Sequence, residues 1–168
     1  TSSENGFPDV RSATEEVLAV SIKMGKDFRV YGCGSYDPQP GVKYISCADE
    51  KNLLLEFVND WMMNYPDVIT GWNSRFFDIP YMVNRIRNVL GEKIANKLSP
   101  WGWFRESEVT LVGNRKQQVF DLVGISSIDY MDAYKKFTYV NQERYSLNHI
   151  AYVELDYFSG IYGQVQFQ

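Results

Sequence analysis

Cysteine is nearly missing from this chain: its 168 residues include only Cys33 and Cys47. Two thiols build no disulfide framework, so a reducing compartment is the default. Histidine is scarcer still, with His149 alone. It reads as a solvated residue in a helix turn. No Ser or Cys constellation accompanies it, which excludes nucleophilic catalysis of the triad kind. No apolar run reaches the roughly 18–20 residues that span a bilayer, and no secretory leader pattern is visible. Positive charge is also short: 17 Lys and Arg stand against 21 Asp and Glu, a net charge of −4. A general duplex binder carries a basic stripe, whereas the densest cationic stretch here is Lys135-Lys136. Nucleic acid, if held, is expected as a short single-stranded end. The glycines at 32, 34 and 41 make no phosphate-cradling pattern, and there is no repeat, heptad or low-complexity tract.

Aromatic residues are plentiful: twelve Tyr, ten Phe and four Trp make up 15% of the chain. They serve either an aromatic-rich core or platforms for unstacked bases. Hydrophobic residues reach 45%, enough for one domain with a real core.

Residues 1–16 are polar, with a turn at Gly6-Phe7-Pro8. Val17–Ile22 and Phe28–Tyr31, joined through Gly25-Lys26-Asp27, read as a hairpin. A Gly- and Pro-rich loop over 32–43 leads to a short strand, Lys43–Ser46. Leu53, Leu54, Phe57, Val58, Trp61 and Met62 form one apolar stripe at helical spacing. They predict a helix from Asp49, its N-cap, to Asn64, stopped by Pro66. Val68–Trp72 reads as a strand. Ile79, Met82, Val83, Ile86 and Leu90 predict a second helix over Asp78–Leu90, ended by Gly91. A short helix and a loop follow over 92–103. Strand runs at 105–112 and 116–123 flank Gly113-Asn114, a hairpin signal. A strand over Ser126–Met131 and helices over Asp132–Phe137 and Ser146–Tyr157 complete the chain. Alternating elements after an opening hairpin argue for an α/β domain with a mixed sheet and helices on its faces.

One segment gathers chemistry: Ile69-Thr-Gly-Trp-Asn73-Ser-Arg-Phe-Phe77-Asp78-Ile-Pro80-Tyr81. It is a strand end, a five-residue loop and a helix start, the place where α/β folds collect ligands. Asn73 can both donate and accept, Phe77 offers a ring face, and Asp78 a carboxylate. Taken alone, the same residues read equally as a turn Asn, a core Phe and an Asp N-cap ahead of Pro80.

The ordered string Gly-Trp-Asn-x-x-x-Phe-Asp-x-Pro-Tyr resembles the second exonuclease motif of family B DNA polymerases, in particular those of large tailed phages. Ser127–Phe137 and Tyr145–Ile150 resemble later stretches of the same domain, so the likeness covers the chain except about its last dozen residues. The resemblance implies a ribonuclease-H-like 3′→5′ exonuclease fold, a mixed β-sheet flanked by helices with an inserted β-hairpin. It implies proofreading: removal of mispaired 3′-terminal nucleotides by hydrolysis with two divalent metals, Mg²⁺ or Mn²⁺, held by four acidic residues. Asp78 matches a catalytic and metal-binding carboxylate. Asn73 and Phe77 match positions beside the frayed primer end. The implied partners are DNA as a single-stranded 3′ primer end, the rest of the polymerase chain, a sliding clamp and other replisome proteins. No membrane is implied, and the implied location is the cytoplasm of an infected host. A hairpin in this domain of relatives helps part primer from template, which the turn at Gly113-Asn114 would match.

The chain also departs from that pattern. The family's first motif, Asp-x-Glu, is expected just before Thr1, and Glu4 does not replace it. Tyr152-Val-Glu-Leu-Asp156 fits the bare form of the third motif, Tyr-x-x-x-Asp, but arrives too soon, and i, i+4 neighbours on one helix face are preferred. Residues 1–168 are therefore expected to be a partial exonuclease domain, truncated at both ends, without a polymerase palm and inactive by itself. A stand-alone exonuclease of the same fold and a metal-free nucleic-acid-binding module are the alternatives.

Overall fold

The computed structural model describes residues 1, 6–111 and 113–162, with side chains up to 155. Glu4 lies outside the described residues, as does the side chain of Asp156. Strands β1 (Ala19–Met24) and β2 (Asp27–Cys33) form the expected antiparallel hairpin, and β3 (Val42–Cys47) adds to β2 in parallel. Helix α1 (Glu50–Met63) follows, then β4 (Val68–Gly71), α2 (Asp78–Leu90) and the short α3 (Glu92–Ala95) with a 3₁₀ turn over Asn96–Leu98. Strands β5 (Phe104–Thr110) and β6 (Lys116–Leu122) make an antiparallel hairpin. Strand β7 (Ser126–Asp129), α4 (Tyr130–Phe137) and α5 (Leu147–Tyr162) close the sequence.

The single mixed sheet expected from the alternation of elements is not what forms. Among the described residues there are three small sheets: β1-β2-β3, β4-β7 and β5-β6. Strand identity follows from local pattern, but which strands share a ladder is decided by non-local pairing, and the alternation does not encode it. The mixed character is confined to the first sheet, where one pair is antiparallel and the other parallel.

Helix α1 packs the centre. Its Leu53, Leu54, Phe57, Val58 and Trp61 are buried, each worth about 1.5–3 kcal/mol of apolar burial. Asp49 caps it by accepting the Asn52 N–H at 2.8 Å. The indole N–H of Trp61 and the hydroxyl of Tyr65 donate to the carbonyls of Leu98 and Lys97, at 2.8 and 2.6 Å, which fastens the 3₁₀ turn beside α1.

The stretch read as a polar lead-in does more than expected. Val10, Ala13 and Val17 are buried in the core, and this non-ladder segment must find donors for its carbonyls. Helix α2 supplies them from one face. Tyr81 donates to Glu15 O (2.5 Å), Asn84 to Val10 O (2.9 Å), Arg85 to Ala13 O and Thr14 O (3.1 and 2.7 Å), and Asn88 to Ser12 O (2.8 Å). These four residues recur at helical spacing, so they line one stripe. Arg85 also holds Glu50 of α1 in a two-point pair, Nε to Oε1 at 2.7 Å and Nη2 to Oε2 at 2.6 Å. Glu50 in turn accepts the Val17 N–H at 2.7 Å. The two side chains are only 12% and 11% exposed, and the Glu50 carboxylate raises the guanidinium pKa further. Removing one partner strands the other charge in the interior. Arg85→Met is therefore expected to cost about 3–5 kcal/mol in urea unfolding. Glu50→Gln is expected to cost less, because its amide oxygen can keep one of the bonds. Unchanged midpoints in both would show that the pair is idle.

Candidate exonuclease site

Strands β4 and β7 run parallel, with Gly71 opposite Asp129. Parallel strands end at the same edge of their sheet, which is where ligands gather in α/β folds. The loop after β4 and the start of α4 after β7 therefore meet. Gly71 allows the close approach, since a Cβ there would lie 2.8 Å from the Cβ of Ser74. Asn73 adopts a left-handed backbone, φ 59°, which Asn tolerates better than most residues. Its carbonyl accepts the N–H groups of Phe76 (3.2 Å) and Phe77 (3.1 Å), and Ser74 O accepts that of Ile79 (2.9 Å). This turns the chain directly into α2.

Asp129 pins the turn from the facing strand. It is buried, 6% exposed. Oδ1 accepts the N–H of Asn73 and of Met131, and Oδ2 that of Arg75, all at 2.9 Å. The bond to Met131 makes Asp129 the N-cap of α4. On the other flank, the Gln117 amide of β6 donates to Phe76 O at 3.0 Å, and the Trp72 indole donates to Tyr145 O at 3.0 Å. A shallow recess of about 450 Å³ opens beside the turn, lined by Arg75, Asp121, Ser127, Asp129, Asp132 and Lys136 among others.

The residues singled out in the sequence are placed as follows. Asn73 is half-buried within the turn. Phe77 is half-buried too, and its ring already has neighbours: Tyr81 at 5.6 Å in a stacked arrangement and Phe7 at 5.0 Å, tilted. Asp78 is not the N-cap. Phe77 takes that position without a side-chain bond, and Asp78 is the first helical residue. The dihedrals of Phe77 decide this, and residue type alone does not reveal them. Asp78 reaches solvent, yet the surrounding protein mass desolvates its carboxyl and raises its pKa. Its own N–H opposes that rise, the charge of Asp129 adds to it, and the amino group of Thr1 opposes it. The positive end of α2 also favours the ionised form, but desolvation prevails. Tyr152 is exposed on α5. His149 is half-buried rather than solvated. Sequence reading missed Asp129, whose signal was available: an Asp at a strand end directly before a helix is an N-cap signature, hidden when the strand is drawn through to Met131.

These residues do not fit a metal centre by themselves. Among the described residues no group of three His, Cys, Asp or Glu could hold an ion. Asp129 has both oxygens engaged by N–H donors, whereas Asp78 is exposed and its carboxylate can be reached by a ligand.

The raised pKa gives a test with a definite sign. A carboxyl that titrates higher when folded imposes no penalty below its ordinary range, where both states are protonated. The penalty grows as pH rises through the folded value and is full above it. Asp78→Asn is thus expected to raise the melting temperature at pH 7. The gain should shrink toward zero as the pH is lowered to about 4. A gain that is constant with pH would refute the desolvated carboxyl.

Comparison with known proteins supplies the context for this geometry. The model of the DNA polymerase family B exonuclease domain matches residues 1–150. The DNA-directed DNA polymerase of Escherichia phage RB69 is 44% identical over 115 residues, 67% of this chain and 12% of that protein. That of Enterobacteria phage T4 is 34% identical over 110 residues, 66% of this chain and 12% of its own. The DNA polymerase catalytic subunit of Elephantid herpesvirus 1 is 32% identical over 90 residues, half of this chain and 9% of its own. The chain thus spans about an eighth of the length of the phage relatives. It belongs to the family B DNA polymerases, as part of their exonuclease domain.

Proposed function

We propose that this chain is the proofreading 3′→5′ exonuclease region of a replicative family B DNA polymerase, acting on the single-stranded 3′ end of a primer. The observation that carries the reading is the turn at the common end of β4 and β7. It delivers Asp78, a desolvated carboxyl with no side-chain donor among the described residues, to a ligand-gathering edge. Asn73 and Phe77 flank it and are assigned to contacts with the terminal nucleotides. In this reading Asp78 would help to hold divalent cations, Mg²⁺ or Mn²⁺, together with carboxylates not brought together among the described residues, and these ions would supply the water activation of hydrolysis. Among the described residues no three potential ligands come together, which is too few for a dication, so the chain alone is expected to be inactive.

The reading also takes the fold as ribonuclease-H-like. It is supported by the mixed pairing of the first sheet, antiparallel on one side of β2 and parallel on the other, and by the parallel β4–β7 pair. Polymerisation, the sliding clamp and other replisome contacts belong to the parent protein in this proposal.

In the full-length polymerase, Asp78→Ala is expected to abolish release of nucleotides from a single-stranded oligonucleotide in Mg²⁺, a loss of at least about 10³-fold. Primer extension should persist. Retained exonuclease activity would overturn the assignment.

The β5–β6 hairpin is proposed to part the primer end from its template. Its turn-proximal end is tied to the site, because Gln117, paired with Val109 near the turn, bonds the Phe76 carbonyl and Gln118 accepts from Asn84 at 2.8 Å. Removing residues 108–118 would therefore damage the site itself. Exchanging only residues 111–115 for a two-residue Asn-Gly turn spares both anchors. That variant is expected to lose proofreading on mismatched duplex while keeping cleavage of single strands. Equal loss on both substrates would refute the strand-parting role.

A further inference from the structure

Asp129 makes more bonds than a helix cap needs. An N-cap satisfies one or two N–H groups of its own helix, and the bond to Met131 does that for α4. The other two donors, Asn73 N–H and Arg75 N–H, come from a segment more than fifty residues away in sequence. Capping accounts for one of the three bonds, and the turn before Asp78 for the remaining two.

Burying a carboxylate is costly unless donors surround it, and here all three donors are backbone N–H groups rather than a basic side chain. Such charge-assisted bonds are roughly twice as strong as neutral ones. They hold Asn73 in a left-handed backbone, a conformation that even Asn adopts only where its surroundings fix it. With Asn73 held there, its carbonyl receives Phe76 and Phe77, and Asp78 starts α2 at the strand edge.

We infer that Asp129 is a positioning residue of the exonuclease site, fixing the Trp72–Phe77 turn so that Asn73 and Asp78 are presented together at the shared end of β4 and β7. This rests on the exonuclease reading above. Asp129 itself touches no substrate in this role; its bonds go to the backbone N–H groups of Asn73, Arg75 and Met131.

The role separates from simple stability through three substitutions in the full-length polymerase. Asp129→Ser can still cap α4 but is too short to reach the turn. Asp129→Asn keeps an acceptor for Asn73 and Met131 but faces Arg75 N–H with an NH₂ group. Asp132→Asn alters a neighbouring acid of the same recess that makes no bond to the turn. kcat and KM are measured on a single-stranded oligonucleotide in Mg²⁺, with primer extension on the same preparations as the control for folding. Asp129→Ser is expected to lose about 100-fold in exonuclease kcat, the scale of an ångström-level misplacement, with primer extension unchanged. Asp129→Asn is expected to recover part of this, to roughly tenfold below the starting rate, the scale of one charge-assisted bond. Asp132→Asn is expected to retain the full rate. A full rate in Asp129→Ser, with Asp78→Ala inactive, overturns the positioning role alone. So does a parallel fall of both activities in the two Asp129 variants, which marks a residue needed only for folding. Full exonuclease activity in Asp78→Ala overturns the exonuclease reading and the positioning role with it.

Discussion

The parallel pairing of β4 with β7 is the constraint on which the site depends. Two short strands of four residues each bring Gly71 level with Asp129, so the segments leaving them start side by side. A parallel pair cannot close with a tight turn and needs a long crossover. Here that crossover includes α2, α3 and the β5–β6 hairpin. The elements that carry and support the site are thus the connection between the strands that position it. Slipping the register by one residue would turn Asp129 to the other face of the sheet and release the turn.

A second constraint lies in the unpaired lead-in over residues 8–18. Such a segment can enter a core only if its carbonyls are met, and α2 meets them with Tyr81, Asn84, Arg85 and Asn88. The helix therefore has two sides with different work. Ile79, Val83 and Ile86 bury against the core, while the polar stripe latches the lead-in and, through Arg85 and Glu50, joins α1. Asp78 opens this same helix. Its place is consequently fixed at both levels, locally by the turn before it and globally by a helix bolted to two other parts of the molecule.

Much of this was legible in the residues. The apolar stripes of α1 and α2 gave their extents closely, because cap and stop residues agree with the periodicity: Asp49 bonds Asn52 N–H, Pro66 lies just beyond α1 and Gly91 ends α2. The Gly113-Asn114 turn marked the second hairpin, and both residues take positive φ. Other features were illegible for physical reasons. The lead-in is held through its backbone carbonyls, which all residue types share, so Val10 and Ala13 looked like scattered apolar residues in a polar stretch, and Val17 like the start of a strand that begins only at Ala19. Sheet membership depends on partners far away in sequence. The cap of α2 depends on the dihedrals of Phe77. In the site, the turn and its carboxylate were visible as a motif, but Asp129, more than fifty residues on, was absorbed into a strand that ends sooner than its apolar pattern suggests.

The two acids at this edge show how a fold can assign different work to identical side chains. Asp129 is surrounded by N–H donors, which stabilise its charge and engage both of its oxygens. Asp78 has no donor beyond its own N–H among the described residues, and desolvation, reinforced by Asp129, raises its pKa. A carboxylate of the first kind is inert and structural. One of the second kind is relieved by any cation that reaches it, because the cation offsets the desolvation and the like charge at once. The stability given up at Asp78 is therefore the same free energy that an incoming cation recovers, and the donors around Asp129 keep the neighbouring acid from competing for it.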